Sequence, residues 1–415
     1  MTQGKANSSM APDNMSSPAA RHGKGHRRTS PGHESDEPRQ LRLLCVLHDL
    51  RVGGAELGAL TLLEALASDG FNVTLFCLSA KGDLSRRIPA NVRVVHGSTG
   101  KVSPKLLLLP ILGRLYRLAR WSDVVFAAQE GASFYAAVLM GRVARRPIVG
   151  SLRTSWTDIL QDLPAWHRPV SRVLYPAADA IVTASETVRQ DIVSFLGRLE
   201  LPIHVIPSFR DQTEVRLRGT EPLPGWAKSV FARPVLVSVG RLERVKGFDR
   251  LILAFSQAVR DGLEANLLIV GEGSLRPQLE SIVEQHGLRD RVSLPGFSEN
   301  PYPLLSRSLA LVVTSHYEGS PSVMIEAMAL GLPILAFDCP HGPREMLAGG
   351  TYGVLIQDGD QASLAGAMHR IVGEEGLREG LSRLGLVRSK DFDAQSAIDR
   401  YRSLFLRLAR SATRL

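Results

Sequence analysis

The sequence predicts an α/β protein of two doubly wound, Rossmann-like domains with a ligand cleft between them. Two observations carry this. A rhythm of apolar run, glycine turn, helical stretch and apolar run starts near residue 41, breaks off, and starts again near residue 231. The chain, at 415 residues, is also too long for a single core of ordinary size.

Each element can be justified in order. "LRLLCVLHDL" (41–50) is a compact apolar run, "RVGGAE" a turn, "LGALTLLEALASDG" a helix with a glycine stop, and "FNVTLFCLS" the next strand. "SDVVFAA" (122–128), "RPIVGSLR" (146–153), "ADAIVTAS" (178–185) and "LPIHVIPS" (201–208) continue the series. Residues 209–230 are charged and rich in Pro and Gly, which reads as a linker. Six further strands follow: "PVLVSVG" (234–240), "ANLLIVGEG" (265–273), "RVSLPGF" (291–297), "SLALVVTS" (308–315), "LPILAFD" (332–338) and "TYGVLIQ" (351–357). The expected division is a first domain at 41–208, a second at 231–390, and a closing helix at 391–415 that packs back on the first. Parallel sheets of this kind hold ligands at the carboxyl ends of their strands, hence between the domains.

Residues 1–40 have no aliphatic run and are rich in Ser, Pro, Gly, His and Arg, so they read as a disordered basic tail and not as a secretory signal. Three cysteines suit free thiols in a reducing cytosol, and no His/Cys spacing suits a metal. A net charge of +9 calls for an acidic partner: nucleotide phosphate, anionic lipid or nucleic acid. Nucleic acid is set aside, because no helix-turn-helix or aromatic RNA-binding strand accompanies the charge. No run is apolar and long enough to span a membrane. The segment 101–121, "KVSPKLLLLPILGRLYRLARW", surrounds an apolar block with Lys and Arg. It suits either an anionic membrane surface or an ordinary helix interrupted by Pro110.

Three motifs carry chemistry. In "SVGRLERVKGFDRLILAF" (238–255), Arg241 and Lys246 flank a strand-to-helix loop, where two cations suit a diphosphate or form a solvated basic loop. In "LLIVGEGSLRPQLE" (267–280), Gly271 and Gly273 form a strand–Gly-x-Gly–helix turn. Arg276 breaks the full GxGxxG, and no P-loop motif occurs elsewhere. In "SHYEGSPSVMIEAMALG" (315–331), Ser320 is a candidate N-cap, Pro321 the first helical residue and Gly331 the stop. Glu318 then lies before the helix and Glu326 inside an otherwise apolar one, where a carboxylate needs partners. A vicinal diol on the carboxylate, with phosphates at the helix tip, makes a nucleotide-sugar site; a surface Glu318 and a core Glu326 salt-bridged within the fold is the other reading.

The blocks "VGRLERVKGFDRLILAF", "GEGSLRPQLE", "LPGFSENP" and "SHYEGSPSVMIEAMALGLPILAFDCPHGPREML" together resemble the nucleotide-sugar half of retaining glycosyltransferases of family GT4, with GT-B fold. "GGAE" (53–56) resembles that family's glycine loop facing the acceptor. The resemblance implies that Arg241 and Lys246 bind the donor diphosphate and steady the leaving group. It implies that Glu326 holds the ribose hydroxyls and Glu318 the sugar hydroxyls near the anomeric carbon. It assigns the backbone of Gly319, Ser320, Pro321, Ser322 and Val323 to the phosphates and sugar, Gly53 and Gly54 to the approach of acceptor and phosphate, and Gly271 and Gly273 to the donor turn.

The "DCPHGPREML" version resembles members that use UDP-N-acetylhexosamines or related UDP-sugars on lipid-linked or polysaccharide acceptors. No metal and no cofactor is implied, the nucleotide-sugar being a co-substrate, and the location implied is cytoplasmic, peripheral on the inner face of the membrane. GDP-mannose as donor and a sugar-nucleotide 2-epimerase are the alternatives. Many relatives carry a histidine after a mid-sheet strand of the first domain; here "FAAQEGASF" and "VGSLRTSW" offer only Gln129, Glu130, Arg153 or Ser155 in its place.

Overall fold

A computed structural model describes residues 40–51, 53–98, 104–197 and 200–412. Almost all of the expected tail, and the Lys101 end of the 101–121 segment, lie outside these residues. The first half contains β1 (Arg42–Leu47), α1 (Gly54–Ser68), β2 (Asn72–Ser79), β3 (Arg93–Ser98), α2 (Pro104–Trp121), β4 (Val124–Ala127), α3 (Ala132–Val143), β5 (Ile148–Leu152), α4 (Trp156–Asp162), α5 (His167–Leu174), β6 (Ala180–Thr183), α6 (Glu186–Leu196) and β7 (Ile203–Val205). Two connecting helices follow, α7 (Gln212–Gly219) and α8 (Ala227–Val230).

The second half has β8 (Val235–Val239), α9 (Phe248–Arg260), β9 (Asn266–Val270), α10 (Arg276–Gln285), β10 (Val292–Gly296), α11 (Tyr302–Ser306), β11 (Ala310–Val313) and α12 (Ser322–Ala329). It continues with β12 (Ile334–Asp338), α13 (Pro343–Met346), β13 (Val354–Gln357), α14 (Gln361–Gly373), α15 (Glu375–Ser389) and α16 (Ala394–Ala412).

All strand pairs are parallel, in the orders β3-β2-β1-β4-β5-β6-β7 and β10-β9-β8-β11-β12-β13. Both sheets are doubly wound, as the sequence rhythm implies. The central strands read as solid apolar runs because helices cover both of their faces; β4, β5 and β6 are buried throughout. Strand β3 escapes that pattern. It lies at a sheet edge, its side chains are half-buried, and its text "RVVHGS" has no continuous apolar run.

The stretch 209–230 is not an extended linker. It forms α7 and α8, whose Val215, Ala227 and Val230 enter the apolar core of the second sheet. Asp211 caps α7 by accepting from Thr213 N and Glu214 N at 2.9 and 3.0 Å. Apart from Arg210, which is buried just before α7, the charged residues that suggested a linker lie toward solvent.

Helix α16 fills the core of the first sheet with Ile398, Tyr401, Leu404 and Phe405; the Phe126 ring sits 5.6 Å from Tyr401 and 5.3 Å from Phe405. The chain therefore crosses between the sheets twice, and the crossings are bonded together. Arg210 N donates to Phe392 O at 3.2 Å, and Gln212 Nε2 donates to Ser389 O.

Candidate active site

The carboxyl ends of both sheets face one cleft, and glycines let the two walls touch. A Cβ on Gly54, the first residue of α1, would lie 2.5 Å from Ser322 Oγ, at the start of α12. The tips of these two helices, where N–H groups lack intrahelical acceptors, therefore meet across the cleft. A Cβ on Gly319 would lie 1.6 Å from the carbonyl oxygen of Arg153, so that loop also needs glycine for its close approach. Gly53 is extended at φ −163°, and a Cβ there would strike Glu56 Oε2 at 2.2 Å.

The loop after β8 carries the two predicted cations. Glycine at 271 and 273 serves this loop's shape: a Cβ would lie 1.8 Å from Gly240 O and 2.4 Å from Leu242 O respectively, and Gly271 has φ +151°. Leu242 N donates to Glu272 O at 2.8 Å, which locks the two turns together. The structure thus gives Gly271 and Gly273 a packing role beneath Arg241. Arg241 is exposed and has no ion-pair partner among the described residues, yet its charge reaches Glu56 in the first turn of α1. Lys246 Nζ sits 2.5 Å from Glu318 Oε1, which also accepts from Ser315 Oγ at 2.7 Å. Thr314 ties the same loop down, with Oγ1 donating to Gly247 O at 2.9 Å.

Helix α12 starts one residue later than the sequence suggests. Pro321 is its N-cap, at φ −65° and ψ 110°, and Ser322 is the first helical residue. Ser320 is not the cap: its side chain points to Met346 Sδ at 3.9 Å, and its carbonyl accepts from Ser208 Oγ at 2.9 Å. Met324 N–H is taken by Pro321 O, which leaves the N–H groups of Ser322 and Val323 for an anion. Gly331, at φ +68°, stops the helix as expected.

Glu326 is buried, and its Oε1 accepts from Arg210 Nε at 2.7 Å. Glu318 and Glu326 thus each commit Oε1 to the protein, with no hydrogen bond to Oε2 among the described residues. A carboxylate held by one oxygen and open at the other is fixed in direction and free to accept a hydroxyl.

On the opposite wall, Gln129 joins His48 N, accepted at 2.9 Å, to Glu56 Oε1, donated to at 2.5 Å. Burial pushes the Glu56 carboxyl above its usual range, against its own backbone N–H, the Arg241 charge and the Gln129 bond. Burial also raises Glu130, whose Oε1 accepts from Arg153 N and from Thr154 N, the latter at 3.1 Å. Arg153 Nη2 donates to Ser208 Oγ at 2.5 Å. Ser155 caps α4 by accepting from Asp158 N at 3.2 Å, so its hydroxyl is spent within the fold.

Two family profiles cover most of the chain. Residues 228–385 match that of "Glycosyl transferases group 1" and residues 52–214 that of "Glycosyltransferase Family 4". The chain belongs to the family 4 glycosyltransferases. This glycosyltransferase is 29% identical over 263 residues to an uncharacterized glycosyltransferase of Methanocaldococcus jannaschii, covering 56% of this chain and 64% of that one. The chain therefore spans just under two thirds of that relative's length.

It is 25% identical over 362 residues to the N-acetylgalactosamine-N,N'-diacetylbacillosaminyl-diphospho-undecaprenol 4-alpha-N-acetylgalactosaminyltransferase of Campylobacter jejuni, covering 84% and 94%. Its fold is that of Anabaena HepE in complex with UDP-glucose, at TM-score 0.73 and 20% identity over 91% of this chain and 100% of that one. Sucrose-phosphate synthase from Thermosynechococcus elongatus gives 0.72 at 19% identity over 90% and 100%. The GT-B fold and the glycosyltransferase family expected from the sequence motifs are borne out.

Three features of the glycosyltransferase were not read from its sequence. Arg210 lay in the supposed linker. Glu345, from α13, caps α6 of the first sheet, accepting from Glu186 N at 3.0 Å and Thr187 N at 3.3 Å. His341 Nε2 approaches Asp158 Oδ2 at 3.4 Å, and its backbone has φ +66°. Each is a long-range pairing, the last two between the two walls and the first from the crossing, and only the fold shows who the partner is. Among the described residues no three His, Cys, Asp or Glu side chains cluster as a metal site.

Proposed function

We propose that this glycosyltransferase moves a hexosyl or N-acetylhexosaminyl group from a UDP-sugar to a lipid-linked or saccharide acceptor in surface polysaccharide synthesis, with retention at the anomeric carbon. The observation that carries the proposal is the meeting of the α1 and α12 tips at Gly54 and Ser322, with Arg241, Lys246 and two half-committed glutamates around them. That set matches a nucleotide-sugar part by part. Glu326 Oε2 accepts the ribose hydroxyls, Glu318 Oε2 the hydroxyls of the sugar, and the N–H groups of Ser322 and Val323 the phosphates. Arg241 meets the charge that grows on the departing β-phosphate, and Lys246 shares itself between that phosphate and Glu318.

In this reading the transfer is front-face. The bond from C1 to the β-phosphate oxygen breaks, and the acceptor oxygen bonds to C1 on the same face. The acceptor's proton passes to the leaving phosphate. Glu318 orients the sugar and favours the positive charge at C1 without bonding to it. Stabilisation of a departing phosphate by preorganised cations in a closed cleft supplies several kcal/mol of barrier lowering. An N-acetylhexosaminyl group and a lipid-linked acceptor are supported by the Campylobacter relative, named as an N-acetylgalactosaminyltransferase acting on a diphospho-undecaprenol-linked sugar, and a UDP-sugar by the UDP-glucose complex of Anabaena HepE. Placement on an anionic membrane through 101–121 suits such an acceptor, and no helix among the described residues is long and apolar enough to cross a membrane.

The test is nucleotide release from UDP-N-acetylglucosamine, UDP-N-acetylgalactosamine, UDP-glucose and GDP-mannose, with and without a diphospho-polyprenol-linked sugar. Product stereochemistry is read by NMR. Acceptor-dependent UDP release with an α-linked product supports the proposal. A β-linked product, release from GDP-mannose alone, or epimerised donor with no transfer would overturn it.

A further inference from the structure

At the β7 end of the first sheet the fold gathers cations that the cleft does not use. Strand β7 is the last of its sheet, so one of its backbone edges has no neighbouring strand. Alternation along the chain sends His204 and Ile206 to one side, where α16 runs past. On α16, Arg400, Ser403, Leu404 and Arg407 recur at the helical spacing that puts them on one face. Ile206 and Leu404 are buried in the same apolar core, which fixes the strand against the helix. The polar members of these two rows stand above that floor and line a cavity of about 300 Å³. No residue named for the donor cleft lines it.

The cavity is positive and most of its donors are unspent. Arg400 Nη2 donates to Val205 O, which covers the open strand edge and holds the guanidinium beside it. The Arg407 side chain, the Ser403 hydroxyl and the His204 ring have no hydrogen-bond or ion-pair partner among the described residues. Asp399 is the one acid on the cavity wall, and its Oδ1 accepts from Gln395 Nε2 at 3.2 Å. Burial, then the charges of Arg407 and Arg400, hold His204 below the ordinary histidine value of 6.5. Its partner across β6 is the apolar Val182. On α6, the other helix packed on β7, Glu186 pairs with Arg189 and Asp191 accepts from Trp156 N at 2.7 Å, so neither acid offsets the two arginines.

We infer that the β7–α16 cavity binds a compact tetrahedral oxyanion, a phosphate or phosphate monoester, between Arg400, Arg407, Ser403 and His204. Two guanidinium groups offer forked donors that suit such oxygens, and Ser403 adds a hydroxyl. An anion there pairs with both arginines and favours the imidazolium, so His204 supplies a third charge on binding. The cavity lies between the entry to one crossing and the exit from the other. Strand β7 runs on into Ser208 and Arg210, and α16 starts just after Asp393, which bridges Arg210. The inference holds whichever nucleotide-sugar the cleft takes.

The experiment is calorimetric titration of sodium sulfate into the full chain at constant ionic strength, at about pH 6 and about pH 8. Sulfate keeps its charge across that range, so a change in affinity reports the protein. Saturable binding, tighter at the lower pH and competed by inorganic phosphate, is expected. Arg407→Gln and Arg400→Gln each weaken it about ten-fold, and His204→Gln removes the difference between the two pH values. Melting curves check that each variant is folded. Arg402→Gln, an α16 arginine that faces Asp69 at 3.8 Å outside the cavity, leaves the affinity unchanged, and so does Arg241→Ala in the cleft. Three results overturn the inference: no saturable sulfate binding, binding that Arg241→Ala weakens and the cavity variants keep, or a pH dependence that survives His204→Gln.

Discussion

Arg210 Nε donates to Glu326 Oε1 at 2.7 Å, across 116 positions of sequence, and each side chain is only 9% exposed. The arginine comes from the crossing between the sheets, the glutamate from the apolar helix of the second. The same arginine donates its backbone N–H to Phe392 in the other crossing. One residue therefore ties the two paired crossings to the carboxylate assigned to the ribose.

Removing one member of a buried pair strands the other. Arg210→Ala is expected to destabilise the fold by about 3 kcal/mol and to raise the donor KM. A double Arg210→Met, Glu326→Met variant recovers much of that stability while staying inactive. Urea unfolding and donor kinetics on the three proteins check this; a double variant as unstable as the single one would contradict it.

Arg241 contributes charge and little packing, since it is exposed and unpaired among the described residues. Arg241→Ala is expected to lower kcat by about 10²-fold, in line with the loss of one preorganised donor at a developing oxyanion. Its melting temperature stays within a degree or so of the wild type. Steady-state UDP release with a melting curve reads both, and unchanged kcat would remove Arg241 from the phosphate.

At Gly54 the claim is steric. Gly54→Ala places a methyl 2.5 Å from Ser322 Oγ and 3.3 Å from its Cβ, so the hydroxyl must turn aside and the two helix tips shift by a few tenths of an ångström. UDP affinity is expected to fall at least ten-fold, and Ser322→Gly in the same chain to restore much of it by making room. No restoration would mean that Gly54 acts by something other than its contact with Ser322.

Burial raises Glu130 above its ordinary value of 4.5. The folded state therefore binds this proton more tightly than the unfolded chain. The stability so gained is complete below 4.5 and is lost as pH rises through the higher folded value. Glu130→Gln removes the titration while keeping an oxygen for the N–H groups of Arg153 and Thr154. The melting temperature of the variant relative to wild type is expected to rise between pH 4.5 and neutrality. A constant difference across that range would show that Glu130 is not held as an acid.

How much was legible in the sequence follows from which contacts are local. Glu318 and Glu326 stood out because a helix start lies between them and the helix is otherwise apolar, both properties of one short segment. The buried central strands, among them β8, β9, β11 and β12 of the second sheet, were equally plain. Strand β3 was missed because a half-buried edge needs no apolar run. Arg210 was missed because its partner is brought to it only by the fold, and its neighbours in α7 show their charged face to solvent. Of the four candidates for the family histidine's place, Gln129, Glu130 and Ser155 are tied to named partners within the first sheet, and Arg153 reaches Ser208. Sequence proximity says nothing about such ties.

The central claim is that Glu326 and Arg241 hold the two ends of one nucleotide diphosphate. Calorimetric titration of UDP into wild type, Glu326→Gln and Arg241→Ala tests it most directly, because it needs neither donor sugar nor acceptor. Saturable binding by the wild type, weakened at least ten-fold in each variant with the fold intact, is the predicted result. Wild-type affinity in both variants, or no UDP binding by the wild type, would contradict it.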